Sequence, residues 1–362
     1  MCEAREVAVI GAGIGGLAAA IALRKAGWEP TVYEAAEELR PIGAGLSIWP
    51  NGVRALRELG FAEFTDSALS TGGALRRSDG KVLAEFDPKV LEERFGAPLI
   101  GIHRGDLHEA LVGALGANRI CLHSRLAGYE DGELRFADGS TRSADLIVGA
   151  DGINSVMRAA LVGDGEPRDS GLVAYRGVSR AAIDEVSGEW WAPDADSGLL
   201  HLGDGRVYWY LAYRGDPDHD ALLARASEFD PVIGRAIEAT APEDVLVHRL
   251  YDRDPIESWS EDNATLLGDA AHPMLPFLGQ GACQALEDAV ALGAAIEADD
   301  SVPAALEAYE RARVGRTAKL VKGSRRAARV AILGAGAGRA RDILIRLTPE
   351  SLRLRQLDQF VG

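Results

Sequence analysis

The run Val7 to Ile10 is uniformly apolar and passes directly into Gly11-Ala12-Gly13-Ile14-Gly15-Gly16, after which "LAAAIALRKAG" reads as a helical stretch ending at Gly27. That order predicts a short buried strand, a tight turn and a helix closed by glycine; "PTVYE" then predicts a second strand with Glu34 at its end. A second strand-to-turn passage is "ADLIVGADGINSVMR", Ala144 to Arg158. A third runs from Ala264 to Ile296, where "TLL" predicts a strand, Gly268-Asp269 a turn, Pro276 and Gly279-Gln280-Gly281 a loop, and the rest a helix from near Ala282. Between about Ser170 and Glu261 the pattern changes to strand-like stretches, "GLVAYRGVSRA", "SGLLHLG", "RVYWYLAYRG" and "DVLVHRLYD". Alternation is clearest in Arg206 to Arg214, which puts Tyr208, Tyr210 and Ala212 on one side and Trp209, Leu211 and Tyr213 on the other. From Pro303 the chain predicts a long helix with a basic stripe, read as a solvated face packing on the N-terminal unit. "RARDILIRLTPESLRLRQL" continues as helix, Thr-Pro break and helix.

A second glycine run, "VAILGAGAG" from Val330 to Gly338, invites comparison with the first. It has Arg339 where a third glycine is needed, and no strand ending in an acid follows. The expectation is one dinucleotide site, at the N-terminus, and no second nicotinamide-binding domain.

Composition narrows the picture further. The chain has 362 residues, 47% hydrophobic and 26% charged, enough for two domains or for one large domain with an insertion. No apolar run approaches the ~20 residues that span a bilayer, so no membrane partner is expected. The "VAVIGAG" run begins too early to leave room for a secretory signal, which predicts a cytoplasmic protein. A formal charge of −16 disfavours nucleic acid, whose binding draws on Lys and Arg. Cys2, Cys121 and Cys283 are too few and too scattered for a disulfide framework or a zinc site, so free thiols and no metal are expected.

The chemistry begins at the first turn. In a strand–GxGxxG–helix unit the first glycine makes the turn, the second admits a pyrophosphate and the third lets helix and strand pack; an acid about 20 residues on binds a ribose hydroxyl. Gly11, Gly13, Gly16 and Glu34 meet each requirement. In the third passage, backbone amides at the helix start offer a partial positive end, and the Asp269 carboxylate can accept from sugar-type hydroxyls.

With these three motifs in this order and spacing, the sequence resembles the group A flavin-dependent aromatic hydroxylases, the family of 4-hydroxybenzoate, salicylate and FAD-dependent urate hydroxylases, from "VAVIGAGIGG" to about Arg316. "GAGLSIWPNG", Gly43 to Gly52, is similar to the urate and salicylate branches. The resemblance implies an α/β fold: a three-layer Rossmann-type FAD-binding domain from 1–70, 100–168 and 262–300, an inserted mixed-sheet substrate domain from 71–99 and 169–261, and a C-terminal helical segment, 301–362. It assigns Gly11, Gly13 and Gly16 to the FAD pyrophosphate, with Gly15 beside them, and Glu34 with Ala35 to the adenosine ribose. It places the Leu126 backbone at the adenine, Arg104 near the ribityl and pyrophosphate, Asp269 at the ribityl chain, and Ser47 against the FAD. Pro276, Gly279, Gln280, Gly281 and Ala282 fall at the isoalloxazine edge. Asp151 joins this set; with Arg158 it either fixes its turn or bridges to the nicotinamide side. His272 reads as structural.

The implied activity is a monooxygenase that uses NAD(P)H and O₂ to hydroxylate a small aromatic or heteroaromatic molecule through a flavin C4a-hydroperoxide, as monomer or homodimer. One aromatic set of the strand Arg206 to Arg214 is expected to roof the substrate. The stretch before Gly205 lacks the arginine that the urate branch uses for its substrate, which leaves His201, Tyr208 and Tyr210 as the candidates for catalytic or polar contact. A flavin oxidase, dehydrogenase or reductase on the same scaffold, and a non-catalytic flavin-binding redox protein, remain as alternatives.

Overall fold

A computed structural model of the chain describes residues 5–39, 43–184 and 187–362. The apolar run predicted as a strand is Glu6–Ile10, buried at four of its five positions. It lies inside a six-stranded sheet with parallel neighbours Glu29–Tyr33 and Leu146–Gly149, extended by Ala264–Leu266 on one side and Ile120–Cys121 on the other. Strands buried on both faces read as continuous apolar runs, which is why these were legible. Helix Ile14–Lys25 packs against helices Arg104–Leu115 and Gly281–Ala298. Its alanines permit close approach: Ala22 lies 2.9 Å from where a Cβ on Gly293 would sit. Behind the sheet a three-stranded antiparallel meander, residues 126–142, sets Phe136 on Tyr33 with ring centroids 5.0 Å apart.

The chain between 168 and 252 forms a seven-stranded mixed sheet in which Gly73–Arg77 and Val82–Phe86 supply one edge. Strand Val207–Arg214 lies near its centre, between Arg168–Ser179 and Ala195–His201. Trp209, Leu211 and Tyr213 face an apolar cluster with Val173, Trp190 and the helices His219–Ala226 and Pro231–Glu238. Those helices interrupt a stretch expected to be strands alone. Each is short and starts on an aspartate cap, Asp218 and Asp230, so local capping defines them better than periodicity does.

Val330 and Ala331 end the helix Val302–Ala331, and Gly334 caps the next helix, Ala335–Leu347. The second glycine run is therefore a helix junction. A Thr348-Pro349 break precedes the last helix, Glu350–Val361. The basic stripe is not a simple solvated face. Arg313 is buried against Glu287 and Asp288, and Arg325 reaches Asp252 at the end of the seven-stranded sheet's edge strand and Asp254 just beyond it. Among the described cysteines, Cys121 is exposed and Cys283 buried, both free; Cys2 lies outside the described residues. No helix among the described residues is long and apolar enough to cross a membrane.

Candidate functional site

Gly11 sits at φ +103°, a conformation that favours glycine, and a Cβ on Gly16 would lie 2.0 Å from the Gly11 carbonyl oxygen. Gly13, by contrast, faces open space, with no atom within 4 Å of a Cβ there. The turn is thus closed on its protein side and open at the one position through which a pyrophosphate must approach. At the end of the second strand the Glu34 carboxylate accepts from the backbone amides of Ala12 at 2.7 Å and Ala36 at 2.8 Å, with Ala35 half-buried between. Backbone bonds from Ser124 to Glu34 and from His123 to Ala36 bring the segment leading into Leu126 alongside. Leu126 itself is buried.

The second motif braces the third. Asp151 accepts from the Ser155 hydroxyl and from the Val156 and Met157 amides, so both carboxylate oxygens hold the following helix. The side chain is thus committed to fixing the turn. Arg158, fully buried, donates to the carbonyls of Ala270 at 3.0 Å and Ala271 at 2.6 Å, clamping the turn that carries Asp269. The Asp269 carboxyl opens to the cleft yet is hemmed in by protein. Desolvation pushes its pKa up, against the opposing pull of His272 and Arg104. No hydrogen bond to it forms among the described residues. Arg104, first residue of its helix, is half-buried nearby; burial lowers its pKa while the Asp269 charge raises it.

His272 is held by Asp288 at 2.5 Å, and Asp288 also accepts from Arg313 at 2.7 Å. Burial alone would raise the Asp288 pKa, but His272 and Arg313 outweigh it and hold it at about 2. This is a structural network, with the His272 ring against Trp259.

The loop Pro276–Leu278 turns through Gly279 at φ +61° into helix Gly281–Ala298. Pro276 and Gly279 are exposed, Gly281 and Ala282 partly so. The Gln280 side chain is buried between Asn51 and Gln284, so only its backbone faces outward. A Cβ on Gly279 would lie 4.0 Å from Ser47, and one on Gly45 would lie 2.4 Å from Tyr208. Those two contacts join the loop, the strand Gly45–Ile48 and the aromatic strand around one cleft. Tyr208 and Tyr210 face it, with ring centroids 6.1 Å apart, while Ala212 on the same side packs with Leu275.

His201 is not part of this group. It pairs in register with Val207, which puts it on the Trp209 side of the sheet; the alternation that orients Tyr208 turns His201 away.

A family model described as an FAD binding domain matches residues 239–324, and one described as an NAD(P)-binding Rossmann-like domain matches residues 9–41. An aurachin C monooxygenase/isomerase of Stigmatella aurantiaca is 38% identical over 340 residues, 88% of each chain. A 3-amino-4-hydroxybenzoate 2-monooxygenase of Streptomyces cremeus is 35% identical, over 89% of this chain and 86% of its own. The crystal structure of Klebsiella pneumoniae HpxO complexed with FAD and uric acid superposes with a TM-score of 0.90 at 28% identity, covering 99% of this chain and 96% of that one. The chain belongs to the FAD-dependent aromatic hydroxylases.

FAD is the cofactor of this hydroxylase, and the Rossmann-like match over residues 9–41 falls on the glycine turn and the acid at Glu34. The cleft suits a flavin dinucleotide on its own evidence. It has an open glycine where phosphate must pass, a carboxylate with no donor where hydroxyls are needed, and an 18-residue helix directing its positive end at the loop.

Two features of the hydroxylase's substrate-side sheet were missed in the sequence. Asp196 is buried, with Glu189 half-buried beside it on the neighbouring strand. Asp196 is raised well above the usual carboxylate range by desolvation and by Glu189, while Trp191 donates to Glu189 at 2.8 Å. Arg176 lies directly across from Tyr210 on the adjacent strand, on the tyrosine face. Neither is visible without the strand register. Strand Gly188–Ala192, which carries Glu189, is too short to show alternation, and Arg176 sits inside a run already read as generic strand.

Proposed function

We propose that the protein is an FAD-dependent monooxygenase that uses NAD(P)H and O₂ to hydroxylate a small aromatic or heteroaromatic ring. In net terms one oxygen atom enters a ring C–H bond and the other leaves as water, with NAD(P)H oxidised to NAD(P)⁺. The observation that carries the reading is the facing of Tyr208 and Tyr210 towards the strand and loop that border the cofactor cleft.

FAD, when bound, supplies the redox and oxygen chemistry; the protein supplies binding, orientation and a dry pocket. Gly11, Gly13, Gly15 and Gly16 with the first turn of helix Ile14–Lys25 would receive the pyrophosphate. Glu34 and Ala35 would meet the adenosine ribose, and the Leu126 backbone the adenine. Asp269 would accept from the ribityl hydroxyls beside Arg104. Ser47, Pro276 and the Gly279 to Ala282 backbone would border the isoalloxazine, where the helix start favours negative charge. Asp151 would contribute through its backbone.

Tyr208 and Tyr210 would wall the ring and exclude water. Burial raises both phenols, Tyr210 well above its ordinary value with Asp196 adding to the effect. Each therefore stays protonated near neutrality; Tyr208 would offer its O–H to an oxygen or nitrogen on the substrate, while the Tyr210 O–H donates to Asp196. The relatives named for urate, 3-amino-4-hydroxybenzoate and aurachin C mark the range of planar rings such a pocket accepts.

The test is to purify the protein, record its visible spectrum and screen phenolic and heteroaromatic compounds for stimulated NAD(P)H oxidation with a product heavier by one oxygen atom. A flavin spectrum with coupled hydroxylation supports the proposal. A protein that neither contains nor takes up FAD, or that reduces flavin with substrate but inserts no oxygen, overturns it.

A further inference from the structure

We propose that Asn51 is a positioning residue for the flavin, whose side chain sets the backbone of Gly279 to Gly281 at the isoalloxazine edge. The inference rests on the flavin placement proposed above and adds what holds that edge in shape.

Asn51 follows Ser47 in the stretch Gly43 to Gly52 and lies in the first turn of helix Pro50–Glu58, where it is 2% exposed. Val53, Ala55 and Leu56 of the same helix are buried too, so an apolar side chain would suit the packing. A buried amide in such a place costs stability unless its donors are met. Both Asn51 amide hydrogens are met. Nδ2 donates to Gln280 Oε1 at 3.0 Å and to Glu287 Oε1 at 2.8 Å.

The first of these bonds reaches the cofactor loop. Gln280 stands between Gly279, at φ +61°, and Gly281, the first residue of helix Gly281–Ala298, and its side chain makes no cap to that helix. Glycines on both sides leave the backbone compliant, so the side chain between them is the handle by which the loop can be fixed. Gln280 Oε1 is gripped twice, by Asn51 and by Gln284 Nε2 at 2.9 Å.

The second bond ties that handle to a buried ion cluster. Glu287 accepts from Arg313 at 2.6 Å and from Arg316 at 2.9 Å, and Arg313 also donates to Gln284 Oε1 and to Asp288, each at 2.7 Å. Burial would raise the Glu287 pKa, but Arg313 and Arg316 outweigh it and keep the carboxylate below its ordinary value, as an acceptor for Asn51. Gln284, Glu287 and Asp288 share one face of the helix by their spacing. Asp288 accepts from the Gly268 amide at 3.0 Å, beside Asp269. Both turns that face the cofactor are therefore fixed to one helix face, and Asn51 completes the link to the Gly279 turn. A leucine in its place would fill the volume and supply no donor, leaving the loop amides without a fixed aim at the flavin edge.

The full-length holoenzyme decides it, as wild type, Asn51→Leu, Gln280→Leu, the two combined, and Arg54→Met. Arg54→Met removes bonds from the same helix to the Phe95 and Val361 carbonyls. The readouts are the FAD dissociation constant, the flavin midpoint potential against a reference dye, and the melting temperature. Asn51→Leu should raise the FAD dissociation constant about tenfold, the scale of one lost buried hydrogen bond, and move the potential to more negative values, because the reduced flavin loses aligned donors. Gln280→Leu should do the same, and the combined variant should go no further than either alone, since Asn51 acts through Gln280. Arg54→Met should lower the melting temperature and leave affinity and potential at wild-type values. An Asn51→Leu protein that melts early with wild-type affinity and potential would overturn the proposal and leave the hydroxylase reading intact. Additive effects in the combined variant, or the same flavin changes in Arg54→Met, would overturn it equally. If Asn51→Leu does not fold, Asn51→Ser takes its place with the same direction of change; failure of both to fold would assign Asn51 to folding alone and overturn the proposal. A wild-type protein that takes up no FAD would remove the flavin placement and the inference together.

Discussion

Replacing Trp209 with alanine separates the two faces of the central substrate-side strand. The indole is fully buried, and its ring lies 2.8 Å from where a Cβ on Gly177 would sit. Its Nε1 donates to the Thr240 hydroxyl at 2.8 Å. Removing it exposes or empties ~150–250 Å² of apolar contact, which at ~25 cal/mol/Å² amounts to ~4–6 kcal/mol before relaxation. Thr240 keeps its own bond to the Ala236 carbonyl at 2.9 Å, so no large penalty for an unpaired polar group is added. A loss of ~3–5 kcal/mol is therefore expected, in line with buried Trp→Ala changes, and with it a fall of roughly 4–7 °C in the melting midpoint. Tyr208→Ala, on a half-buried ring at the cleft, should lower the midpoint far less and weaken substrate binding instead. Thermal melts by far-UV circular dichroism, paired with titration of a confirmed substrate by flavin absorbance, read both quantities. If Trp209→Ala melts like wild type while weakening substrate binding more than Tyr208→Ala does, the faces are reversed and the reasoning fails.

Other outcomes follow from the cleft and the buried acids. Asp269→Ala should reduce flavin content after purification by removing the acceptor for the ribityl hydroxyls, worth ~1.5–3 kcal/mol for a charged hydrogen bond; equal flavin content in variant and wild type would contradict that role. Gly336→Val, inside a C-terminal helix with open space around it, should leave the flavin content unchanged, and loss of nicotinamide binding there would restore a second dinucleotide site. Gly16→Ala forces a Cβ against the Gly11 carbonyl and should abolish FAD retention, as measured by absorbance per polypeptide. Because the Asp196 pKa is raised on folding, its stabilising contribution is complete below the ordinary carboxylate value and is lost as pH rises towards the folded one. Urea midpoints of wild type should accordingly fall relative to Asp196→Asn as pH increases through that window, and parallel profiles would count against it. For Asp288, lowered to about 2, the sign is opposite: its contribution holds above the ordinary value and disappears as pH drops towards about 2.

What could be read from the chain, and what could not, divides along physical lines. The Val7 to Ile10 strand, its glycine turn and the acid at Glu34 are specified by neighbours in sequence, so periodicity and spacing suffice. The rejection of Gly334 to Gly338 used the same local rules. The seven-stranded sheet is another matter. Alternation assigned Tyr208 and Trp209 to opposite sides but could not say which side met the cofactor, and it could not exclude His201, whose side depends on pairing with Val207. Arg176 and the Glu189–Asp196 pair become meaningful only when strands distant in sequence are set side by side. The basic stripe looked solvated because its acids lie on other elements, near Asp252 and Asp288.

The cofactor-side sheet also has a history built into it. Its strands Glu6–Ile10, Glu29–Tyr33 and Leu146–Gly149 leave the ribosome early, but their parallel neighbour Ala264–Leu266 follows only after the whole substrate-side sheet has been made. The clamp from Arg158 to Ala270 and Ala271 must wait for the same moment. At ~5–20 residues per second, the nascent chain spends roughly 5–25 s with one flank of that sheet unpaired. During that interval an apolar strand edge is open to other nascent chains. Yield in a foreign host should therefore respond to translation speed and chaperone supply, even for variants whose finished fold is as stable as the wild type.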